Sequence, residues 1–436
     1  MGDSAKSENP QVQAQLDRLA KLSQGEDRLG LERIDALLER LGRPQDRLPP
    51  VFHVAGTNGK GSTCAFLRAI LEASGKTVHA FTSPHLVRYN ERIRVAGSLI
   101  ADEELAALLT RVLDASDGIE PSFFEVTTAA ALLAFAETPA DACVLEVGLG
   151  GRLDATNVVT SPLVCGIAQL GLDHTKWLGE TLADIAGEKA GIAKAGVPLV
   201  TQRYAAPAAQ QVQQKAEAAG APWIGRGALW DARVIRDHIR YRDRAGGLKL
   251  PMPGLPGAFQ ADNAALAVAM LRFQDKIKIG KEAIAAGIRS ARWPARLHQL
   301  APGPLADLLP RTAEAWVDGG HNPNAARRVS NHIRATFPGD LPLALVFASL
   351  KTKEPRAMLR PFKGLAAAVI TLPITDHDAF SQAELLELAR EMGFNAVAAD
   401  SLEAAFRLVR SPSRVLVFGS LYLAGQVLSA NGEIPD

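Results

Sequence analysis

The stretch HVAGTNGKGST, His53 to Thr63, restricts the possible folds more than any other part of the chain. A short apolar run from Leu48 to Val54 leads into it and an apolar-periodic pattern leaves it, so the segment reads as strand, phosphate loop and helix. Gly56, Gly59 and Gly61 permit a tight turn that aims backbone N–H groups at phosphate oxygens, ahead of a helix N-terminus whose dipole favours anions. Lys60 adds a mobile positive charge. The spacing departs from the usual G-x-x-x-x-G-K-[ST] loop: Val54 stands where the first glycine belongs, and Gly61 separates Lys60 from the hydroxyls of Ser62 and Thr63. The competing reading is a glycine-rich hairpin with an exposed lysine, which the flanking strand and helix signals disfavour.

A length of 436 residues exceeds one ordinary core and suggests two domains. Lys plus Arg number 48 against 47 Asp plus Glu, so the net charge of +1 supplies no global field for nucleic acid or an anionic membrane. Small molecules are the expected partners, and a monomer the expected state. The polar N-terminus has no apolar signal-like core and no long uncharged span follows, so a cytoplasmic protein is expected. Cys64, Cys143 and Cys165 lie far apart in apolar stretches and read as buried hydrophobes, not as a disulfide framework or zinc site.

Along the chain, helical and strand patterns alternate. Helices are expected near 29–41, 64–74, 101–114, 122–136 and 182–195, with strands at TVHAFTSP and near 142–147, 163–170 and 198–201. That alternation predicts an α/β fold whose parallel sheet is covered by helices on both faces. Residues 225–260 alternate polar and apolar and then turn Pro/Gly-rich, predicting a small antiparallel excursion. Helices over 260–273, starting at Asp262 or Asn263, and over 281–291 precede a boundary placed near Pro302. The expected domains are therefore 1–301 and 302–436. In the second, EAWVDGG, LALVFASL, AAVITLPI and RVLVFGS are short strands between helices such as 324–335 and 382–392. It is Rossmann-like in size but lacks G-x-G-x-x-G, which argues against a dinucleotide site.

Three residues outside the loop stand out chemically. Glu146 interrupts an apolar strand near its carboxyl end, where open α/β sheets bind ligands; a magnesium ion beside nucleotide phosphates or a salt bridge to Arg152 would compensate it. His174, in LDHTKWLG, follows the next strand and projects at the same sheet edge, as a metal ligand or as an ordinary surface histidine. Lys189 falls on the apolar stripe formed by Leu182, Ile185, Ala186 and Ala193. Snorkelling or pairing with an acid would satisfy it; the alternative is carbamylation of the neutral amine by carbon dioxide, giving a carboxylate-like metal ligand.

Taken in order, HVAGTNGKGST, SPHL with NERI, FFEVTTAAAL, LEVGLGGRLDATN, LDHTKWLG, AGEKAGI, NAALA, WPARL and DGGHNP resemble the folylpolyglutamate synthase and dihydrofolate synthase family of the Mur-ligase superfamily, over almost the whole chain. The resemblance implies an N-terminal ATPase domain of P-loop type and a C-terminal Rossmann-like glutamate-ligase domain. It implies ATP binding by Asn58, Gly59, Lys60, Gly61, Ser62, Asn263, Arg296, Asp318 and His321, and a Mg2+ ion held by Ser62, Glu146, His174 and Lys189. Lys60, His174 and Lys189 are the implied catalytic residues, with Lys189 at the position carbamylated in relatives. Phe124 and Asp154 fall in segments that receive the pterin. By local pattern alone Asn263 could be a helix cap, Arg296 a surface cation, Asp318 a turn former and His321 a helix-start residue. Glu125 reads first as the partner of Ser122 in a capping box. Two departures affect substrate contacts: Lys176 stands where relatives often carry an acid, and FASLKTKEP differs from the usual Asp-Lys-Asp run.

The implied reaction is ATP-dependent ligation of L-glutamate to dihydropteroate, a reduced folate or both, through an acyl phosphate. Domain closure that excludes water would protect that intermediate and bring Asp318 and His321 to the nucleotide. A Mur-type ligase acting on a UDP-sugar peptide would share the chemistry but not the strings SPHL and LDHT. A P-loop switch ATPase would leave His174 and Lys189 without a task, and the chain has no Asn-Lys-x-Asp guanine motif.

Overall fold

The computed structural model describes residues 5–22, 29–337 and 341–436. These form two compact units, Met1–Gly254 with Gln260–Arg292, and Leu255–Phe259 with Trp293–Asp436. The expected boundary at Pro302 lies inside the second unit. A strand at His298–Gln299 pairs antiparallel with Glu314–Asp318, so the chain has already joined the second sheet before Pro302.

The first unit is built on eight strands: β1 (Val51–Ala55), β2 (Val78–Phe81), β3 (Ile93–Val95), β4 (Ser98–Leu99), β5 (Ala142–Glu146), β6 (Val164–Ile167), β7 (Leu199–Thr201) and β8 (Trp223–Gly225). Their order is β4-β3-β2-β5-β1-β6-β7-β8. Pairing is parallel from β2 to β8, and antiparallel only where β3 and β4 extend one edge. β1 and β5 are buried at every position, as continuous apolar runs covered on both faces require. Helices Pro10–Leu22, Glu32–Arg40, Asp102–Ala115 and Phe123–Glu137 build one core against β1, β2 and β5. Helices Leu182–Ala190 and Ala206–Ala219 build another against β6 and β7.

The chain leaves β1 toward β2 and leaves β6 toward β7, so the carboxyl ends of these adjacent strands form a switch point, where open α/β sheets bind ligands. The expected antiparallel excursion is a separate sheet of β9 (Trp230–Ile235), β10 (His238–Asp243) and β11 (Gly246–Pro251).

The second unit carries β12 (His298–Gln299), β13 (Glu314–Asp318), β14 (Leu343–Phe347), β15 (Ala366–Thr371), β16 (Ala396–Ala398) and β17 (Arg414–Phe418). The order is β12-β13-β17-β14-β15-β16, parallel except for β12. All three cysteines are free and buried. Among the described residues no helix is long and apolar enough to cross a membrane.

Candidate active site

β1 delivers the loop Gly56–Gly59 to the switch point, and the helix Lys60–Ala73 starts directly after it. The loop is pinned to the segment after β6: Thr57 and Asn58 donate their N–H groups to the carbonyl of Gln169 at 2.9 and 3.0 Å. The Thr57 hydroxyl donates to the Gly171 carbonyl at 3.0 Å and lies 3.1 Å from the Gly171 N–H. Gly59 has φ +84°, a left-handed conformation that suits glycine, and a Cβ there would collide with the Asn263 side chain. Asn263 therefore lies against the loop, held by donation from its Nδ2 to Gln260 Oε1 at 2.9 Å. Its helix begins at Gln260, two or three residues before the expected start, which puts Asn263 in the first turn, not at the cap.

The start of the helix Lys60–Ala73 has no side-chain cap and no acid in its first turn. The Thr63 N–H reaches the Gly59 carbonyl at 2.9 Å, so the preceding amides of Lys60, Gly61 and Ser62 are the ones an anion can use. Ser62 is buried in that turn.

Glu146 ends β5 and is only 4 % exposed. It accepts the Ser83 N–H at 3.3 Å. The proposed salt bridge with Arg152 does not form, because Arg152 turns to Glu188 with contacts of 3.1 and 3.0 Å. Ser83, beside Glu146, escaped the sequence reading, although SPHL contains it. After Glu146 the loop is shaped by Asp154, which accepts the Leu149 N–H at 2.8 Å, the Thr156 N–H at 3.0 Å and the Thr156 hydroxyl. Burial raises the Asp154 carboxyl pKa, against the lowering effect of these donors. Phe124 packs over Gly148, where any Cβ would strike the ring. Its neighbour Glu125 is structural as expected: it closes the capping box with Ser122 and pairs with Arg33 at 3.1 Å.

Lys189 is 4 % exposed, which removes the snorkelling alternative. Among the described residues its ammonium makes no hydrogen bond or ion pair. Burial pushes its pKa down to about 7; Lys60 depresses it further, while Asp173, Asp154 and Glu188 oppose the fall. The helix carrying it ends at Ala190, earlier than expected, because the Gly151–Asn157 loop docks there: Asn157 Nδ2 donates to the Gly191 carbonyl at 3.2 Å, and the Arg152 N–H to the Glu188 carbonyl at 2.9 Å. The Cys64 thiol, raised by burial, feels both Glu146 and Lys60, so these two charges flank the same helix. Lys60 thus acts electrostatically on Lys189, and Lys60 and Glu146 both act on the Cys64 thiol. His174 lies with its Nε2 3.9 Å from Asp173; the His174 backbone is left-handed at φ +53° and its side chain is 48 % exposed. Asp173, with a side chain only 8 % exposed, acts on Lys189 by charge.

In the second unit, Asp318 ends β13, buried, and accepts the Leu297 N–H at 3.0 Å and the Gly320 N–H at 2.8 Å. Burial raises its pKa and the nearby Arg296 lowers it. Arg296 Nη1 donates to the Ala295 carbonyl at 2.8 Å, and His321 Nδ1 lies 3.1 Å from the Gly319 carbonyl. Arg296, Asp318 and His321 therefore share one strand end. Lys176 lies over the Trp177 ring, 5.4 Å from its centroid.

Among the described residues, no group of three or more His, Cys, Asp or Glu could hold a metal alone. Magnesium beside a nucleotide takes one or two carboxylates and completes its shell with phosphates and water. The buried Glu146 carboxylate and the Ser62 hydroxyl in the first turn after the phosphate loop fit that requirement.

Comparison with known proteins gives consistent results. Residues 305–430 match the family described as dihydrofolate synthetase, C-terminal domain. A dihydrofolate synthase/folylpolyglutamate synthase of Bacillus subtilis is 37 % identical over 358 residues, covering 78 % of this chain and 80 % of the relative. The structure is similar to E. coli FolC in complex with DHPP and ADP, with a TM-score of 0.87, 32 % identity and 97 % of each chain covered. It is also similar to a bifunctional folylpolyglutamate synthase/dihydrofolate synthase with Mn, AMPPNP and L-glutamate bound, with a TM-score of 0.85, 30 % identity, and 98 % of this chain and 99 % of that one covered.

Proposed function

Because the chain belongs to the dihydrofolate synthase/folylpolyglutamate synthase family, we infer that it is an ATP-dependent ligase that adds L-glutamate to dihydropteroate, to reduced folates, or to both. The observation that carries this reading is the uncapped helix start at Lys60, at the switch point of a parallel sheet and beside the buried Glu146. Phosphoryl transfer needs charge neutralised and reactants aligned, and little else from the protein.

Asn58, Gly59, Lys60, Gly61 and Ser62 would hold the ATP phosphates, with Asn263 steadying the loop and Arg296, Asp318 and His321 serving as further nucleotide residues. The substrate carboxylate would attack the γ-phosphate to form an acyl phosphate and ADP. The amine of L-glutamate would then attack the acyl carbon, releasing phosphate and losing a proton to form the amide. Phe124 and Asp154 would receive the pterin. Ser62, Glu146 and His174 would hold Mg2+, which when bound offsets negative charge on the phosphates. Lys189 would be carbamylated and add a carboxylate to that set. Its pKa of about 7 supports this, since only the neutral amine attacks carbon dioxide, as does the absence of an ion-pair partner among the described residues.

The test is ADP release with L-glutamate, offering dihydropteroate and tetrahydrofolate in turn. Glutamate-dependent release with either supports the ligase; release indifferent to glutamate overturns it. A 13C resonance from labelled carbon dioxide bound to the protein, missing in Lys189→Met, would report the carbamate.

A further inference from the structure

β1 is apolar except for one residue. Val51, Phe52, Val54 and Ala55 are buried, and so is His53, at 0 % exposure, opposite Leu145 of β5 and Cys165 of β6. Its Nε2 lies 2.8 Å from Thr156 Oγ1. Its Nδ1 is buried with no hydrogen-bond partner among the described residues. Burial and the charge of Lys194 push its pKa down to about 3, so the ring is neutral at physiological pH.

The protons in this chain can be assigned. Thr156 has one hydroxyl hydrogen and gives it to Asp154 Oδ1. Burial raises the Asp154 pKa, but the Leu149 N–H and Thr156 N–H donors besides the hydroxyl oppose that rise and favour the carboxylate, which only accepts. The Thr156 oxygen must therefore accept from His53, which fixes the Nε2–H tautomer and leaves Nδ1 a bare, dry acceptor. An apolar side chain in this strand would avoid the cost of that orphaned nitrogen. What the imidazole supplies in return is one directed N–H bond to Thr156.

We propose that His53 is a positioning residue: through Thr156 it orients the Asp154 carboxylate, tying the loop that would receive the pterin to the strand that carries the phosphate loop. The proposal rests on the assignment of Asp154 to the pterin side. All three residues are buried, so the relay is not diluted by competing water.

The variants are His53→Leu, His53→Gln, which keeps a donor near the Nε2 position, and Thr156→Val, which removes only the hydroxyl and nearly preserves shape. His53→Leu and Thr156→Val should each raise the KM for dihydropteroate about tenfold, leaving kcat and the KM for ATP within about twofold. The double variant should be no worse than either single one, and His53→Gln should recover most of the loss. A purely structural histidine would lower thermal stability with the dihydropteroate KM unmoved, and that result would overturn the proposal. So would an Nδ1–H tautomer seen by 15N NMR of the wild-type protein, which needs no substrate. Wild-type protein without glutamate-dependent turnover of either dihydropteroate or tetrahydrofolate would instead sink the functional reading, and this proposal with it.

Discussion

Two strands in this molecule end the same way and lead to opposite outcomes. β1 runs into Gly56 and Gly59 and then the helix Lys60–Ala73; β13 runs into Gly319 and Gly320 and then the helix Pro323–Thr336. The second helix is closed at its start. Pro323 has no N–H to offer, Asn322 Oδ1 accepts the Ala325 N–H at 2.9 Å, and the Asp318 carboxylate occupies the Gly320 N–H at 2.8 Å. The first helix has neither a cap nor an acid, and a lysine stands at its first position. Strand, glycine turn and helix make a scaffold; capping decides whether the helix dipole is spent on the protein's own side chains or kept for an anion.

The strongest way to break that contrast is Lys60→Ala. Turnover should fall by roughly a hundredfold to a thousandfold while the thermal midpoint stays near that of the wild type, because the lysine is half-buried and belongs to neither core. Unchanged glutamate-dependent ADP release would dissolve the distinction between the two strand ends.

Lys189 sharpens it by pH. A lysine whose pKa falls to about 7 in the folded protein, from the usual value near 10.5, binds fewer protons folded than unfolded between those values. In carbon-dioxide-free buffer, stability should therefore rise from pH 7 toward pH 10.5, the burial penalty being fully present below pH 7. Lys189→Met should lose that slope in urea titrations at pH 6 and pH 9, and should also lose most ligase activity. A wild-type slope equal to that of Lys189→Met would mean that the amine is not held in a dry site.

The capped end predicts smaller effects. Asn322→Ala should cost about 1 kcal/mol of stability, read from denaturant midpoints, and leave ATP affinity at the Lys60 loop unchanged. Asn322→Asp keeps the acceptor and should change stability by only about 0.5 kcal/mol. If the alanine and aspartate variants are equally unstable, the cap is not what closes this helix.

Much of the first unit was legible because its signals are local. The apolar runs of β1 and β5, the glycine-rich loop, and the Ser122–Glu125 capping box are written in adjacent residues, and each forms as its pattern requires. The short antiparallel strands β3 and β4 and the helix Ala206–Ala219 were passed over, since two or three residues carry no period and an alanine- and glutamine-rich helix has little apolar stripe. Arg152 was a plausible partner for Glu146 by proximity in sequence, yet the turn of the loop sends it to Glu188. Ser83 escaped notice for the same reason: it belongs to no pattern of its own and matters through Glu146, a neighbour distant in the chain.

By itself the sequence determined the α/β class, the phosphate loop and the identity of the chemically costly residues, because periodicity, glycine placement and a charge within an apolar run are properties of neighbouring positions. Only the tertiary structure decided which costs are met and how. It left Lys189 dry beside Lys60 and Asp173, gave Glu146 the Ser83 N–H, and made Asp154 the end of a buried chain that starts at His53. Desolvation and hydrogen bonding depend on what the fold brings within about 3 Å, and separation along the chain places no limit on that.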